Sequence, residues 1–174
     1  MASTSVIRRL HSLGDADRDG LVNLTIDVVE GGASIGFMDP LTVDRARAFW
    51  ESVGRGVASG ERVLFVAEDP EGICGTVQIV LAQMENQPHR ADLSKMMVHR
   101  RARRRGVGDA LLGAAEDAAR ALGRTVLVLD TASDDAERLY VRHGWDRVGA
   151  IPDYALWPDG RLCATVVYSK RLRD

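Results

Sequence analysis

Residues 92–130 read DLSKMMV HRRARRRGVG DALLGAAEDAARALGR TVLVLD, and this stretch decides the fold. Asp92–Val98 has the composition of a strand. From Val107 to Leu122 a helix is predicted, because Val107, Leu111, Ala115, Ala118 and Leu122 recur every three or four positions. Asp109, Glu116, Asp117 and Arg120 take its other side, and Gly123 is a natural stop. Thr125–Asp130 is the continuous apolar run of a strand buried on both faces. A strand, a helix and a second strand in this order form a right-handed parallel crossover. Its joint, Arg103–Gly108, reads R-R-R-G-V-G. Such a joint traps anions: glycines let the main chain come close to a ligand, and the unpaired N–H groups of the first helical turn, aided by the helix dipole, attract negative charge. Nearby arginines add cations for phosphates that reach past the loop. A side chain at Gly106 is expected to clash with the backbone and block the anion.

Two other readings of this loop are weaker. A nucleic-acid patch lacks interleaved aromatic residues, and the chain's formal net charge is -2. A dinucleotide fold gains support from Gly106, Gly108 and the acid at Asp130, but the third glycine position holds Leu111. The residues from His99 to Arg105 also separate strand from glycine, and a mid-chain unit leaves no room for a repeated half.

Working outward, Val6–Leu10 is a short strand and Asp15–Glu30 a helix. Gly31–Met38 is a glycine-rich loop, and a second helix runs from Thr42, its N-cap, to Val57. Arg62–Ala67 and Ile73–Gln83 flank the turn Asp69–Gly72 as a hairpin. Asp134–His143 is a short helix with Asp134 and Glu137 at capping-box spacing. Trp145–Gly149 and Cys163–Lys170 are the last strands. The expected fold is one α/β domain spanning 1–174: a mixed, mostly antiparallel sheet of about seven strands, helices on both faces, and one parallel strand–helix–strand unit.

The 174 residues are 45% hydrophobic and 28% charged, ordinary values for one globular core. Cys74 and Cys163 sit in apolar strands without metal spacing and read as small buried hydrophobes. No apolar run reaches the roughly 18 residues of a membrane span, and the N-terminal stretch has no hydrophobic signal core. A cytoplasmic protein without membrane or nucleic-acid partners is expected. Asp15-Ala16-Asp17-Arg18-Asp19-Gly20 imitates a calcium loop, but its twelfth position is Ile26 instead of glutamate. His11, His89, His99 and His143 show no ligand spacing, so no metal site is expected.

The string Leu93-x-x-Met96-Met97-Val98-His99-x-x-x-Arg103-x-x-Gly106-Val107-Gly108-x-x-Leu111-Leu112 resembles the acetyl-CoA motif of the GNAT N-acetyltransferase superfamily. Ser133-x-x-Ala136-x-x-Leu139-Tyr140-x-x-x-Gly144-Trp145 resembles that family's second signature, in order and at the right separation. The resemblance implies an acetyl-CoA-dependent transfer of acetyl to an amine. The main chain of Met96, Met97 and Val98 then pairs with the pantetheine arm. Arg103, Arg104, Arg105, Gly106, Val107, Gly108 and Asp109 hold the pyrophosphate, Ser133 adds a cofactor contact, and Tyr140 protonates the departing thiolate. Ser133 and Arg100 stand where the family commonly has asparagine and proline.

A narrower resemblance, to the tabtoxin resistance acetyltransferases, lies in Gly31–Met38, Asp92–Val98, Val128–Thr131 and Pro158–Leu162. It implies Asp92 and Asp130 as proton acceptors and an amino-acid-like antibiotic such as tabtoxinine-β-lactam as acceptor. By their places at the start of one strand and the end of its neighbour, the two acids are not expected to touch. A water chain, or binding of a cationic substrate, is the other role open to them. The acceptor pocket is expected between Gly31–Met38, the second helix and Asp153–Gly160. A small-molecule acceptor and a homodimer are the expected partners; a CoA-binding module without turnover and a protein acetyltransferase are the alternatives.

Overall fold

The computed structural model describes residues 5–172. The strands are β1 (Val6–Leu10), β2 (Arg62–Asp69), β3 (Gly72–Leu81), β4 (Arg90–Val98), β5 (Val126–Thr131), β6 (Asp146–Leu156) and β7 (Leu162–Arg171). The α-helices are α1 (Asp15–Glu30), α2 (Val43–Ala58), α3 (Val107–Ala121) and α4 (Asp134–Arg142), and one 3₁₀ turn covers Arg100–Ala102. The sheet runs β1-β2-β3-β4-β5-β7-β6, and every neighbouring pair is antiparallel except β4–β5. The predicted architecture and its parallel unit are therefore present.

Each face of the sheet has its own core. On one side α1 and α2 bury Leu21, Leu24, Val28 and Trp50 against Leu64 and Val66. Thr25 pins these helices together: its hydroxyl donates to the Leu21 carbonyl at 2.7 Å and accepts from the Trp50 indole N–H at 2.8 Å. On the other side α3 packs Val107, Leu111, Leu112, Ala115 and Ala119 on Val77, Ile79, Leu93 and Leu127, and α4 adds Tyr140.

Four local expectations are corrected. Glu116, placed on the solvent side of α3, is 4% exposed and accepts from the Trp145 indole at 2.8 Å and the Lys170 ammonium at 2.6 Å. Leu122, assigned to the apolar stripe, is 40% exposed because the helix ends at Ala121. The cap of α4 is Ser133, whose hydroxyl accepts from the Ala136 N–H, while Glu137 turns away to the Tyr168 hydroxyl. β6 continues to Leu156 instead of ending at Gly149, bulging where Asp153 takes φ 52°. The aspartates of the calcium-like stretch lie in the first turns of α1, with Asp15, Asp17 and Asp19 each paired to an arginine.

Gly75 sets how closely α3 sits on the sheet. A Cβ there lies 2.9 Å from Leu111 Cδ1, 2.9 Å from Val107 Cγ1 and 3.2 Å from the Met97 carbonyl. Gly75→Val is expected to destabilise the fold by about 1–3 kcal/mol through overpacking, seen as a melting temperature lower by several degrees. An unchanged melting curve would show that α3 can shift freely.

Candidate active site

The loop before α3 is built for an anion. Gly106 caps the helix in the left-handed region with φ 78°, and Arg104 takes φ 60°. The first ladder bond runs from the Ala110 N–H to the Gly106 carbonyl at 3.1 Å. Among the described residues, the N–H groups of Arg104 through Asp109 donate to no acceptor. A helix start that leaves such a run of amides free attracts negative charge. A Cβ at Gly106 would meet nothing within 4 Å, so the expected backbone clash is absent; glycine is required there by its positive φ.

The five arginines of the basic run divide into two groups. Arg100 gives its main-chain N–H and its Nε to Asp27 at 2.9 and 2.8 Å, and its side chain also reaches Glu30. Burial raises the Asp27 carboxyl, but the bonds from Arg100 more than offset this and leave it below the ordinary carboxylate range. Arg101 donates to the buried Asp69 at 2.8 Å. These two staple the loop to α1 and to the β2–β3 turn. Arg103, Arg104 and Arg105 are exposed, and only Arg103 makes a bond among the described residues, to the Val98 carbonyl at 3.4 Å.

Beside this loop the sheet opens. β4 and β5 pair only at Arg90–Val126, Ala91–Leu127 and Asp92–Val128. Beyond that β4 pairs with β3 alone and β5 with β7 alone, which leaves one side of β4 without a strand partner. The His99 N–H points to the Cys74 carbonyl of β3. Strand alternation therefore turns Met97 toward β3 as well, and aims the N–H and C=O of Met96 and Val98 into the opening.

On the α1/α2 face the same opening is floored by a cleft of ≈ 230 Å³ lined by Asp92, Ser94, Asp130, Ile151, Tyr154 and Thr165 among others. Asp92 and Asp130 share this face, one diagonal step apart in the parallel register. Their environments differ. Asp92 is held through both oxygens by Arg90 Nη1 at 2.8 Å. Asp130 is exposed and accepts one neutral bond, from the Thr165 hydroxyl at 2.7 Å. Sequence reasoning did not find Thr165, which only the β5–β7 register brings to the acid.

Tyr140 approaches from the opposite face. It is 3% exposed, packed on the Trp145 ring at 5.7 Å and the Tyr168 ring at 6.0 Å, and its hydroxyl bonds to no described residue. Burial, then the negative charge of Asp130, push its phenol well above the usual tyrosine range. Ser133 lies at the foot of the same helix, where its oxygen already serves as the cap. Of the segments expected at the acceptor pocket, only Asp153–Gly160 lines this cleft, through Tyr154; the Gly31–Met38 loop and α2 do not. The α1–α2 loop is instead bonded to the end of β6 and the turn after it: Ser34 Oγ donates to the Leu156 carbonyl at 3.1 Å, and the Asp39 N–H to the Pro158 carbonyl at 3.1 Å. No group of three or more potential metal ligands occurs among the described residues, and no described helix is long and apolar enough to cross a membrane.

Known proteins share the fold and part of the sequence of this chain. The family model for an acetyltransferase (GNAT) domain matches residues 60–147, which span β2 to the start of β6. An uncharacterized N-acetyltransferase in the hisH–hisA intergenic region of Azospirillum brasilense is 32% identical over 126 residues, 71% of this chain and 73% of that one. Among solved structures, an N-acetyltransferase from Staphylococcus aureus Mu50 superposes with TM-score 0.81 at 18% identity, covering 98% of this chain and 100% of its own. The yncA protein of Salmonella typhimurium, with its cofactor acetyl-CoA, superposes with TM-score 0.78 at 20% identity, covering 99% and 96%. The chain belongs to the GNAT family of N-acetyltransferases.

Proposed function

We propose that the protein transfers acetyl from acetyl-CoA to the amine of a small molecule, with Asp130 as the principal acid of the acceptor cleft and Tyr140 as the proton donor. The observation that carries this reading is the run of free amides from Arg104 to Asp109 beside the unpaired side of β4. The residues fit the cofactor. The amides and the free cations of Arg104 and Arg105 suit a pyrophosphate, and the main chain of Met96 and Val98 suits the amides of an extended arm.

Bound acetyl-CoA supplies the activated thioester; the chain supplies position and proton transfer. The Val98 N–H, aimed into the opening, can donate to a carbonyl oxygen as charge builds on it. Asp130 attracts the acceptor ammonium and takes its proton directly or through water, since only the free amine is a nucleophile. Asp92, held through both oxygens by Arg90, is less free to reach an amine and serves better to hold the cleft's edge. The buried phenol of Tyr140 stays protonated at neutral pH, so it can pass its proton to a departing thiolate. The cleft's small volume favours a small acceptor over a protein chain. Within that class, an amino-acid-like antibiotic such as tabtoxinine-β-lactam is the narrower proposal.

Thiol release measured over an amine panel that includes tabtoxinine-β-lactam tests the reading; tight CoA binding with no thiol release from any amine would favour a non-catalytic module. Tyr140→Phe is expected to lower kcat by about 10- to 1000-fold while the Kd for CoA, measured by calorimetry, stays within about twofold. An unaltered kcat removes the phenol from the mechanism. Asp130→Asn is expected to cost about 100-fold in kcat/KM and Asp92→Asn less than about 10-fold; the reverse ranking would move the base to Asp92. Gly106→Ala is expected to weaken CoA binding about 10-fold or more by straining the loop, and equal affinity by calorimetry would remove the loop from the site.

A further inference from the structure

We infer that Lys95 is a latch: its ammonium pins the α1–α2 loop against β4 and α2, beside the acceptor cleft, and so governs which acceptors the enzyme takes. Lys95 sits at a break in β4. Register is regular from Ala91 to Ser94 opposite Leu81 to Gln78 and resumes with Met97 opposite Thr76, so Lys95 and Met96 together face Val77. At this bulge Lys95 adopts φ 52°, a conformation that glycine or asparagine takes more readily than a lysine. A long charged side chain at such a position is explained by what its far end touches.

The Lys95 Nζ donates to the Ile35 carbonyl at 2.6 Å. It also lies 5.9 Å from the ring centre of Phe37 and 5.6 Å from that of Phe49, two rings packed edge to face. One cation therefore joins three elements: β4, the loop through Ile35 and Phe37, and α2 through Phe49. Both attractions need the positive charge, since a cation over a ring face and a charge-assisted bond each weaken when the head group is neutral. Gly36, at φ 93°, lets the chain pass over the ammonium; a Cβ there would stand 3.4 Å from Nζ. The same loop is tied to the β6–β7 hairpin through Ser34 and Asp39, so releasing Lys95 frees only its inner edge.

Burial draws the Lys95 ammonium below the ordinary lysine range, with Asp130 pulling it back up and Arg62 lowering it further. Ser94, the preceding residue of β4, lines the cleft, which places the latch beside it. Its role in acceptor choice rests on the proposed transferase reading, whereas the latch itself can be tested without turnover.

Hydrogen exchange on the free, full-length protein decides the latch. Lys95→Met keeps the stem and removes the charge; it is expected to raise exchange of the amides in residues 33–39 by about 10-fold, with amides of α3 changing less than about twofold. Lys95→Gln, which keeps a donor for Ile35 but no cation, is expected to fall between Met and wild type and serves if the Met variant folds poorly. Unchanged exchange in the loop for either folded variant, or an equal rise throughout the chain, overturns the latch. With an acceptor from the amine panel, Lys95→Met is expected to raise acceptor KM about 10-fold and leave acetyl-CoA KM within about twofold. Equal increases in both would make Lys95 merely structural. A wild-type protein that turns over no amine would sink the transferase reading and leave the exchange result standing.

Discussion

The molecule is organised around a parting of two neighbouring strands. β4 and β5 begin as a parallel pair, share three registered positions, and separate after Asp92 and Val128. Each then follows its other neighbour, β4 staying with β3 and β5 with β7. Main-chain groups in the middle of a sheet are normally paired, because leaving them buried and unbonded is costly. A parting there is tolerable only if solvent or a ligand reaches it. Gly75 contributes by letting α3 lie close against β3, which brings the free amides at the start of α3 up to the mouth of the opening. The bulge at Lys95 contributes from the other side by breaking the regular course of β4.

This opening connects two chemically different faces. On the α3/α4 face lie the anion-attracting loop and the buried phenol of Tyr140. On the α1/α2 face lie the two acids and the small cleft. Asp130 is near enough to Tyr140 for its charge to raise the phenol further after burial has done most of the work. The charge of Asp130 thus adds to burial in keeping the Tyr140 phenol protonated across the sheet. In the proposed reading this keeps proton removal and proton delivery on opposite sides of the reacting group, so neither residue short-circuits the other. The differing partners of the acids follow from register: Thr165 reaches Asp130 because β7 runs antiparallel to β5, while Arg90 reaches Asp92 from two residues away on the same strand face.

Periodicity and turn chemistry made most of the fold legible. The α3 stripe, the apolar β5 run, the Thr42 cap and the turn at Asp69–Gly72 each carry a local signal, and each element appears where that signal lies. What could not be read depends on partners distant in sequence. Glu116 looked like a solvent residue because its helix position is ambiguous; Trp145 and Lys170, on other elements, draw it inward. At the start of α4, Ser133, Asp134 and Asp135 are all chemically plausible caps, and only main-chain geometry selects the serine. β6 outruns its sequence signal because its apolar residues, including Val148, Ile151, Tyr154 and Leu156, are exposed on an edge strand instead of alternating toward a core. The candidate site was legible as a loop and a set of acids, but the shared cleft of Asp92 and Asp130 needed the parallel register. Lys95 had no distinguishing signal in sequence, being one charge beside Arg90 and Asp92 in the same strand, with nothing to say what it touched.

The basic run shows how a charge pattern can mislead when read as a single feature. Arg100 and Arg101 are structural cations, and the acids they serve are themselves sheltered, with Asp27 11% and Asp69 6% side-chain exposed. Removing either arginine would leave a largely buried carboxylate without its partner, which costs more than the pair itself contributes. Their bonds fix where the 3₁₀ turn ends, and so where Arg104 must enter the left-handed region that curls the loop. The three exposed arginines that follow are presented by this scaffold instead of forming a patch of their own. In the proposed reading, affinity for an anion at the loop is built in two stages, fixed amides set by the staples and exposed cations added around them. A residue count over positions 99–105 cannot separate those stages; the partners of each guanidinium do.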